Sequence, residues 1–240
     1  MKLDGQRVLV IGGTSGIGFA VAKAALAQGA GVTIASSNED KLASALARLG
    51  DGDGILLDVT DEAAVAAHFA SSGALDHIVF TAADWGPVDQ HEFSETDLDQ
   101  AAQLFEVRFW GALRVVKHGA KHVFPGGSIT LTNGMAAHRP DKGMATSAAM
   151  AGAVEHLVLG LAVELAPVRV NAVCPGAIHT EAFDAVPPEF REFQEARLSE
   201  QLLPRVGTPE ECAEAYLYLM RATYTTGQVL RVEGGWSLKG

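Results

Sequence analysis

Short β-branched runs alternate with longer stretches of helical periodicity from one end of this chain to the other. The runs span Arg7 to Ile11, Val32 to Ala35, Gly54 to Leu57, His77 to Thr81, Ser128 to Thr132, Val168 to Val173 and Val229 to Val232. They are short and nearly continuously apolar, as strands covered on both faces must be. Between them, apolar residues recur at helical spacing over Ile17 to Gln28, Glu39 to Leu49, Glu62 to Ala70, Thr96 to His122, Thr146 to Ala166 and Pro209 to Met220. Asp61 and Thr208 stand where N-caps belong, and Pro209 takes the first helical position, where its missing N–H costs nothing. Strands joined through helices pair in parallel. The expected fold is therefore α/β: a single Rossmann-like doubly wound domain, with a seven-stranded parallel sheet and helices on both faces. A chain of 240 residues that is 48% hydrophobic can bury one large core, so residues 1–240 are read as one domain. The segment from Glu181 to Leu203 breaks the rhythm with Phe183, Pro187, Pro188, Phe190 and Phe193. It is read as a substrate lid over residues 181–205.

The formal net charge of -11 opposes the counterion-release attraction behind most non-specific nucleic-acid binding, so nucleic acid is not an expected partner. The sequence Met1-Lys2-Leu3-Asp4 leads almost directly into a strand, and no long apolar run suggests a membrane span. A cytoplasmic protein with no membrane partner is the expectation. Cys174 and Cys212 lie in apolar settings without a Cys/His cluster and read as core residues, so no metal is expected.

Directly after the first strand comes Gly12-Gly13-Thr14-Ser15-Gly16-Ile17-Gly18, and a helix follows. Glycines permit positive φ and let backbone N–H groups approach a pyrophosphate at the positive end of the helix dipole. Gly12, Thr14, Ser15, Gly16, Ile17 and Gly18 thus form a candidate dinucleotide cradle. The second strand ends Ser36-Ser37-Asn38. An acid there would accept the ribose hydroxyls of NAD and repel a 2'-phosphate. None is present, which favours NADP(H), with NAD(H) as the alternative.

The spacing Gly12-x-x-x-Gly16-x-Gly18 resembles the T-G-x-x-x-G-x-G loop of the short-chain dehydrogenases/reductases, with Ile11 in place of the Thr. The resemblance continues through Asp58-Val59, through Ala82-Ala83 where the family has N-N-A-G, and through Arg169-Val170-Asn171-Ala172-Val173-Cys174-Pro175-Gly176. It closes on Thr225-Thr226-Gly227-Gln228 and Val232-Glu233-Gly234-Gly235. It implies that Asp58 and Val59 meet the adenine, that Ala82, Ala83, Pro175 and Gly176 flank the rest of the dinucleotide, and that Ile178 and Thr180 reach carboxamide and pyrophosphate. It also implies a homo-oligomer, a tetramer or dimer, built from the helices at 96–122 and 146–166.

The same resemblance implies a catalytic Asn, Ser, Tyr and Lys, but those positions hold Arg108, Gly134, Ser147 and Ala151. Composition supports the substitution, since the only tyrosines are Tyr216, Tyr218 and Tyr224, and the segment from Thr146 to Ala166 has no Lys. Arg108, spaced from Leu104 and Phe105 so as to point inward, could grip an electron-rich group bidentately. Arg108, Asn133 and Ser147 are the catalytic candidates. His138, Arg139, Lys142, His179, Trp85, Trp110, Met135 and Met144 lie in the same region of the sequence. The expected function is an NADP(H)-dependent oxidoreductase with a non-standard site, acting on a small organic substrate. The alternatives are a catalytically silent NADP(H) sensor or scaffold, and a non-redox lyase or isomerase on the same fold.

Overall fold

The computed structural model describes residues 2–83, 92–184, 198–199 and 201–238. Trp85 and most of the expected lid, residues 185–197 and 200, lie outside the described residues.

Seven strands, β1 (Arg7–Ile11), β2 (Gly31–Ser36), β3 (Asp53–Leu56), β4 (Leu75–Phe80), β5 (Val123–Thr132), β6 (Arg169–Pro175) and β7 (Val229–Val232), form one sheet in the order β3-β2-β1-β4-β5-β6-β7. Every pairing is parallel. The order reverses between β1 and β4, and in a sheet of this kind ligands bind at the carboxyl ends of the strands at that switch. The glycine loop leaves β1 at this point.

Helices α1 (Gly16–Ala27), α2 (Glu39–Leu49) and α3 (Glu62–Ser71) follow the first three strands. After β4 come α4 (Leu98–Phe105) and α5 (Ala112–Gly119), then α6 (Ala145–Glu164), the short α7 (Glu181–Asp184) and α8 (Pro209–Arg221). Two apolar clusters cover the two faces of the sheet. One joins Val8, Val10, Val32 and Ile34 to α1 and to Tyr216 and Leu217 of α8. The other joins Leu9, Ile11, Ile78 and Ile129 to Phe69, Val115, Val154 and Val158. Alternate residues of one strand feed opposite clusters, as a strand buried on both faces requires.

The single helix expected over Thr96 to His122 is instead interrupted by a π-helical turn at Glu106–Gly111 and closes in a 3-10 turn at Ala120–His122. A π-turn adds one residue to the helical ladder without disturbing the apolar periodicity on either side, so the sequence pattern cannot reveal it. Gly111 ends the turn where α5 presses on Val59, and a Cβ there would lie 2.7 Å from Val59 Cγ2. The expected absence of any span-like helix also needs correction, because α6 is long and apolar enough to cross a bilayer by length and composition. In the fold its Met150, Ala151, Val154, Val158 and Leu161 form a buried face towards β6, while the rest of the helix is half-buried or exposed.

Thr208 caps α8 with a reciprocal box, its hydroxyl accepting from Glu211 N while Glu211 Oε2 accepts from Thr208 N. At the other end of α8, the buried Arg169 guanidinium donates to the carbonyls of Leu219, Met220 and Ala222. Those are the carbonyls a helix terminus leaves unsatisfied, and a cation is favoured beside them.

Candidate cofactor and active site

The glycine loop has the shape a dinucleotide needs. Gly12 holds φ +84 and Gly16 φ +50, left-handed values that disfavour any side chain. A Cβ on Gly12 would meet Ala82 N at 2.5 Å, and one on Gly18 would meet the Gly12 carbonyl oxygen at 2.2 Å. Both positions therefore exclude every other residue. Thr81 Oγ1 donates to the carbonyls of Ile11 and Gly12, tying the β4 end to the loop. Ser15 is the N-cap of α1 but makes no side-chain capping bond. The start of α1 therefore keeps its backbone N–H groups for another acceptor, and one of them, Gly16 N, meets the Glu181 carboxylate.

Thr180 packs on this loop, since a Cβ on Gly16 would lie 2.9 Å from Thr180 Cγ2. The expected pyrophosphate contact and the loop are brought together. Gly176 lies against Glu233, where its missing Cβ would be 2.8 Å from Glu233 Cα, and Ile178 is buried. At the end of β2, Ser36 Oγ accepts from Asn38 N, and Asn38 Oδ1 caps α2 by accepting from Lys41 N. Ser37 and Asn38 are exposed there, at the edge expected to meet the adenosine ribose. Asp58 Oδ1 accepts from both the N–H and the hydroxyl of Thr60, which fixes the turn carrying the buried Val59.

The four positions at which the resemblance implies Asn, Ser, Tyr and Lys fall into two groups. Arg108 sits in the π-turn, half-buried, and its Nη1 lies 3.9 Å from where a Cβ on Gly134 would be. The larger side chain at one position thus reaches towards the space left by the smaller one at the other. Ser147 lies half-buried in the first turn of α6, and Ala151, one turn on, is buried. No tyrosine substitutes from elsewhere. Tyr216 is fully buried on α8 with its hydroxyl against Thr132 Oγ1 at 2.7 Å, and burial pushes its pKa well above the usual value. Tyr218 and Tyr224 are exposed.

Asn133 is turned away from bulk water and into a polar network that sequence reading missed. Its Nδ2 donates to Glu155 Oε1, and the same oxygen lies 2.6 Å from His138 Nε2. Asn133 Oδ1 is buried without a hydrogen-bond partner among the described residues. Cys174 lies beside them, so that donor atoms of His138, Glu155 and Cys174 fall within 4.8 Å of one another. The Cys174 thiol faces Met135 Sδ at 3.6 Å, and burial pushes its pKa up to about 12. It is a packed thiol rather than a nucleophile. Glu155 had no signal in the sequence beyond its place in an ordinary helix pattern. Glu181, whose carboxylate accepts a hydrogen bond from Gly16 N, was likewise invisible. Arg139 and Lys142 are occupied elsewhere, with the Trp236 carbonyl and Glu92.

A switch-point glycine loop on a seven-stranded parallel sheet defines a doubly wound nucleotide-binding domain. The sequence model described as enoyl-(acyl carrier protein) reductase matches residues 12–237. The chain is 36% identical over 254 residues to the short-chain dehydrogenase/reductase malC of Malbranchea aurantiaca, covering 99% of this chain and 96% of the relative. It is 38% identical over 253 residues to the short-chain dehydrogenase/reductase ucsE of an Acremonium species, covering 98% and 96%. Among solved structures, a small-chain dehydrogenase in complex with NADPH superposes with a TM-score of 0.84 at 36% identity, over 98% of this chain and all of the other. The MalC reductase/Diels-Alderase gives 0.90 at 36% identity, over 99% and 98%. The chain belongs to the short-chain dehydrogenase/reductase family and is an oxidoreductase of that type.

Proposed function

We propose that this protein binds NADP(H) between the glycine loop and the Pro175–Gly176 turn and exchanges hydride with a small organic substrate beside Arg108. The observation that carries the reading is the loop itself: Gly12 and Gly18 leave no room for a Cβ, and Ser15 leaves the backbone N–H groups at the start of α1 uncapped by its side chain. The end of β2, Ser36-Ser37-Asn38, which carries no acid, and the NADPH bound to a similar structure both favour the phosphorylated dinucleotide. When bound, the cofactor supplies the hydride. Arg108 then binds an electron-rich part of the substrate, because a guanidinium is a poor acid but a strong bidentate donor. General acid–base catalysis contributes about 10²–10⁴-fold, so hydride transfer without the usual Tyr suits substrates that form no strongly basic alkoxide. Activated double bonds and imines meet that condition.

Titration with NADPH, followed by a carbonyl, enone and imine panel read by nicotinamide absorbance, tests the proposal. Micromolar NADPH binding with turnover of at least one class is expected. No binding of either dinucleotide would overturn it. A second reading is non-redox catalysis in the same pocket. It is favoured by the replacement of all four catalytic positions and by a similar protein described as both reductase and Diels-Alderase. Substrate conversion that proceeds without nicotinamide oxidation would select it.

A further inference from the structure

The anion that the start of α1 attracts is already supplied by the chain. Glu181, the first residue of α7, places Oε2 2.9 Å from Gly16 N and accepts its hydrogen bond. Gly16 is the first residue of α1, so this carboxylate lies at the positive end of that helix. The neighbouring Thr180 methyl packs against Gly16, which keeps the Glu181 backbone close to the loop. The other carboxylate oxygen has a second partner. Glu181 Oε1 lies 4.0 Å from Arg48 Nη2, and the Arg48 guanidinium stands 4.1 Å from the centroid of the Phe19 ring, on the first turn of α1. One carboxylate is thus shared between a backbone N–H at the start of α1 and the Arg48 cation.

We propose that Glu181 is a resident anion of the cofactor site: it competes with the dinucleotide pyrophosphate for the start of α1, and Arg48 holds it once it is displaced. The inference rests on the reading of the loop as a dinucleotide site. A pyrophosphate at the loop carries like charge close to Glu181, and two such charges in a partly solvated setting repel measurably. The consequence is a cofactor bound less tightly than the loop alone would allow, and released faster. Release steps of this kind govern turnover in many enzymes. Arg48 lowers the cost by giving the carboxylate somewhere to go.

The test is NADPH fluorescence titration of the full chain at low ionic strength. Glu181→Gln keeps the size and an acceptor oxygen but removes the charge, and it should bind NADPH about fivefold or more tightly than the parent. The gap should narrow at high salt, which a purely structural role would not produce. Arg48→Ala should weaken binding in the parent and have little effect in the Glu181→Gln background, the signature of a coupled pair. Glu181→Ala should follow Glu181→Gln. If the parent binds NADPH and both Glu181 variants bind equally or more weakly, the carboxylate is a clasp and the proposal fails. If the parent itself binds no NADPH, the dinucleotide reading fails first and takes the inference with it.

Discussion

At the scale of single residues, Arg108 and Gly134 are best understood as one feature. Arg108 is the larger of the two, and the facing position carries no side chain, so the guanidinium reaches towards the space over it. A charge-assisted hydrogen bond from Arg108 to substrate is worth about 1.5–3 kcal/mol. Arg108→Asn should therefore weaken substrate binding or turnover roughly tenfold or more, while NADPH affinity, which depends on other loops, stays within a factor of about two. Arg108→Lys should recover only part of the loss, because it keeps the charge and loses the planar fork. Steady-state kinetics alongside NADPH titration separates these outcomes, and a loss of thermal stability with unchanged ligand handling would make Arg108 a structural residue. The identity of Arg108 was legible because a motif fixes its position in the chain. Its approach to Gly134 was legible only as a direction, since the reach of a side chain depends on the π-turn that carries it. Asn133 shows the opposite case. It stands next to the motif position, but its bond to Glu155 joins residues 22 apart in sequence, and no local pattern encodes that meeting.

At the scale of elements, the apolar residues located all seven strands; the inner five leave clear runs because they are buried on both faces, whereas the edge strands β3 and β7 are more exposed and were placed by the alternation with helices. Their ends were less legible. β5 begins at Val123 rather than at Ser128, since Phe124 to Gly127 carry a Pro and two glycines that read as a turn, while the β4–β5 pairing absorbs them through a register shift between Leu75 and His77. The helix carrying Arg108 was legible as apolar and long but not as broken. Helix α6 illustrates how a surface adds meaning to a pattern. Its Leu159 and Val163 are exposed at 51% and 81%, and a Cβ on Gly152 or Gly160 would meet nothing within 4 Å. A helix with one face in the core and an apolar, small-residue face outside is suited to close packing against another copy of itself. The expected outcome is a dimer or tetramer built on this face. Light scattering coupled to size exclusion should give a mass at least twice that of the 25.1 kDa chain. Leu159→Glu together with Val163→Glu should shift it to the monomer, and a parent that is monomeric at micromolar concentration would reject the proposal.

At the scale of the whole molecule, the two ends of the sheet do different work. The carboxyl ends carry the glycine loop, Arg108 and the Pro175–Gly176 turn, whereas the amino ends hold a buried polar group whose role is stability. His77 on β4 is 2% exposed, its Nδ1 lies 2.8 Å from Ser128 Oγ, and its Nε2 lies 3.1 Å from Gln6 Oε1. Burial pushes its pKa down from 6.5 to about 4, with the Arg169 charge adding to the shift and Asp76 opposing it. Because the folded value lies below the unfolded one, the unfolded chain binds more protons between these limits, and stability falls as the pH drops from about 6.5 to about 4. The shift of 6.5 to about 4 corresponds to ~3 kcal/mol, a large share of the stability of an ordinary domain. His68, lowered by burial and by His122, adds to the same slope. Urea unfolding at a series of pH values should show the parent losing stability steadily below pH 6.5. His77→Gln, which offers a donor and an acceptor to Ser128 and Gln6 without titrating, should lower stability near neutrality yet flatten the acid slope. An unchanged slope in the variant would show that His77 takes up its proton alike in the folded and unfolded chain and that acid sensitivity arises elsewhere. The variant would also separate acid loss of fold from acid loss of activity. Activity that falls with pH in parallel in both proteins then belongs to the pocket, and activity rescued by His77→Gln belongs to the sheet beneath it.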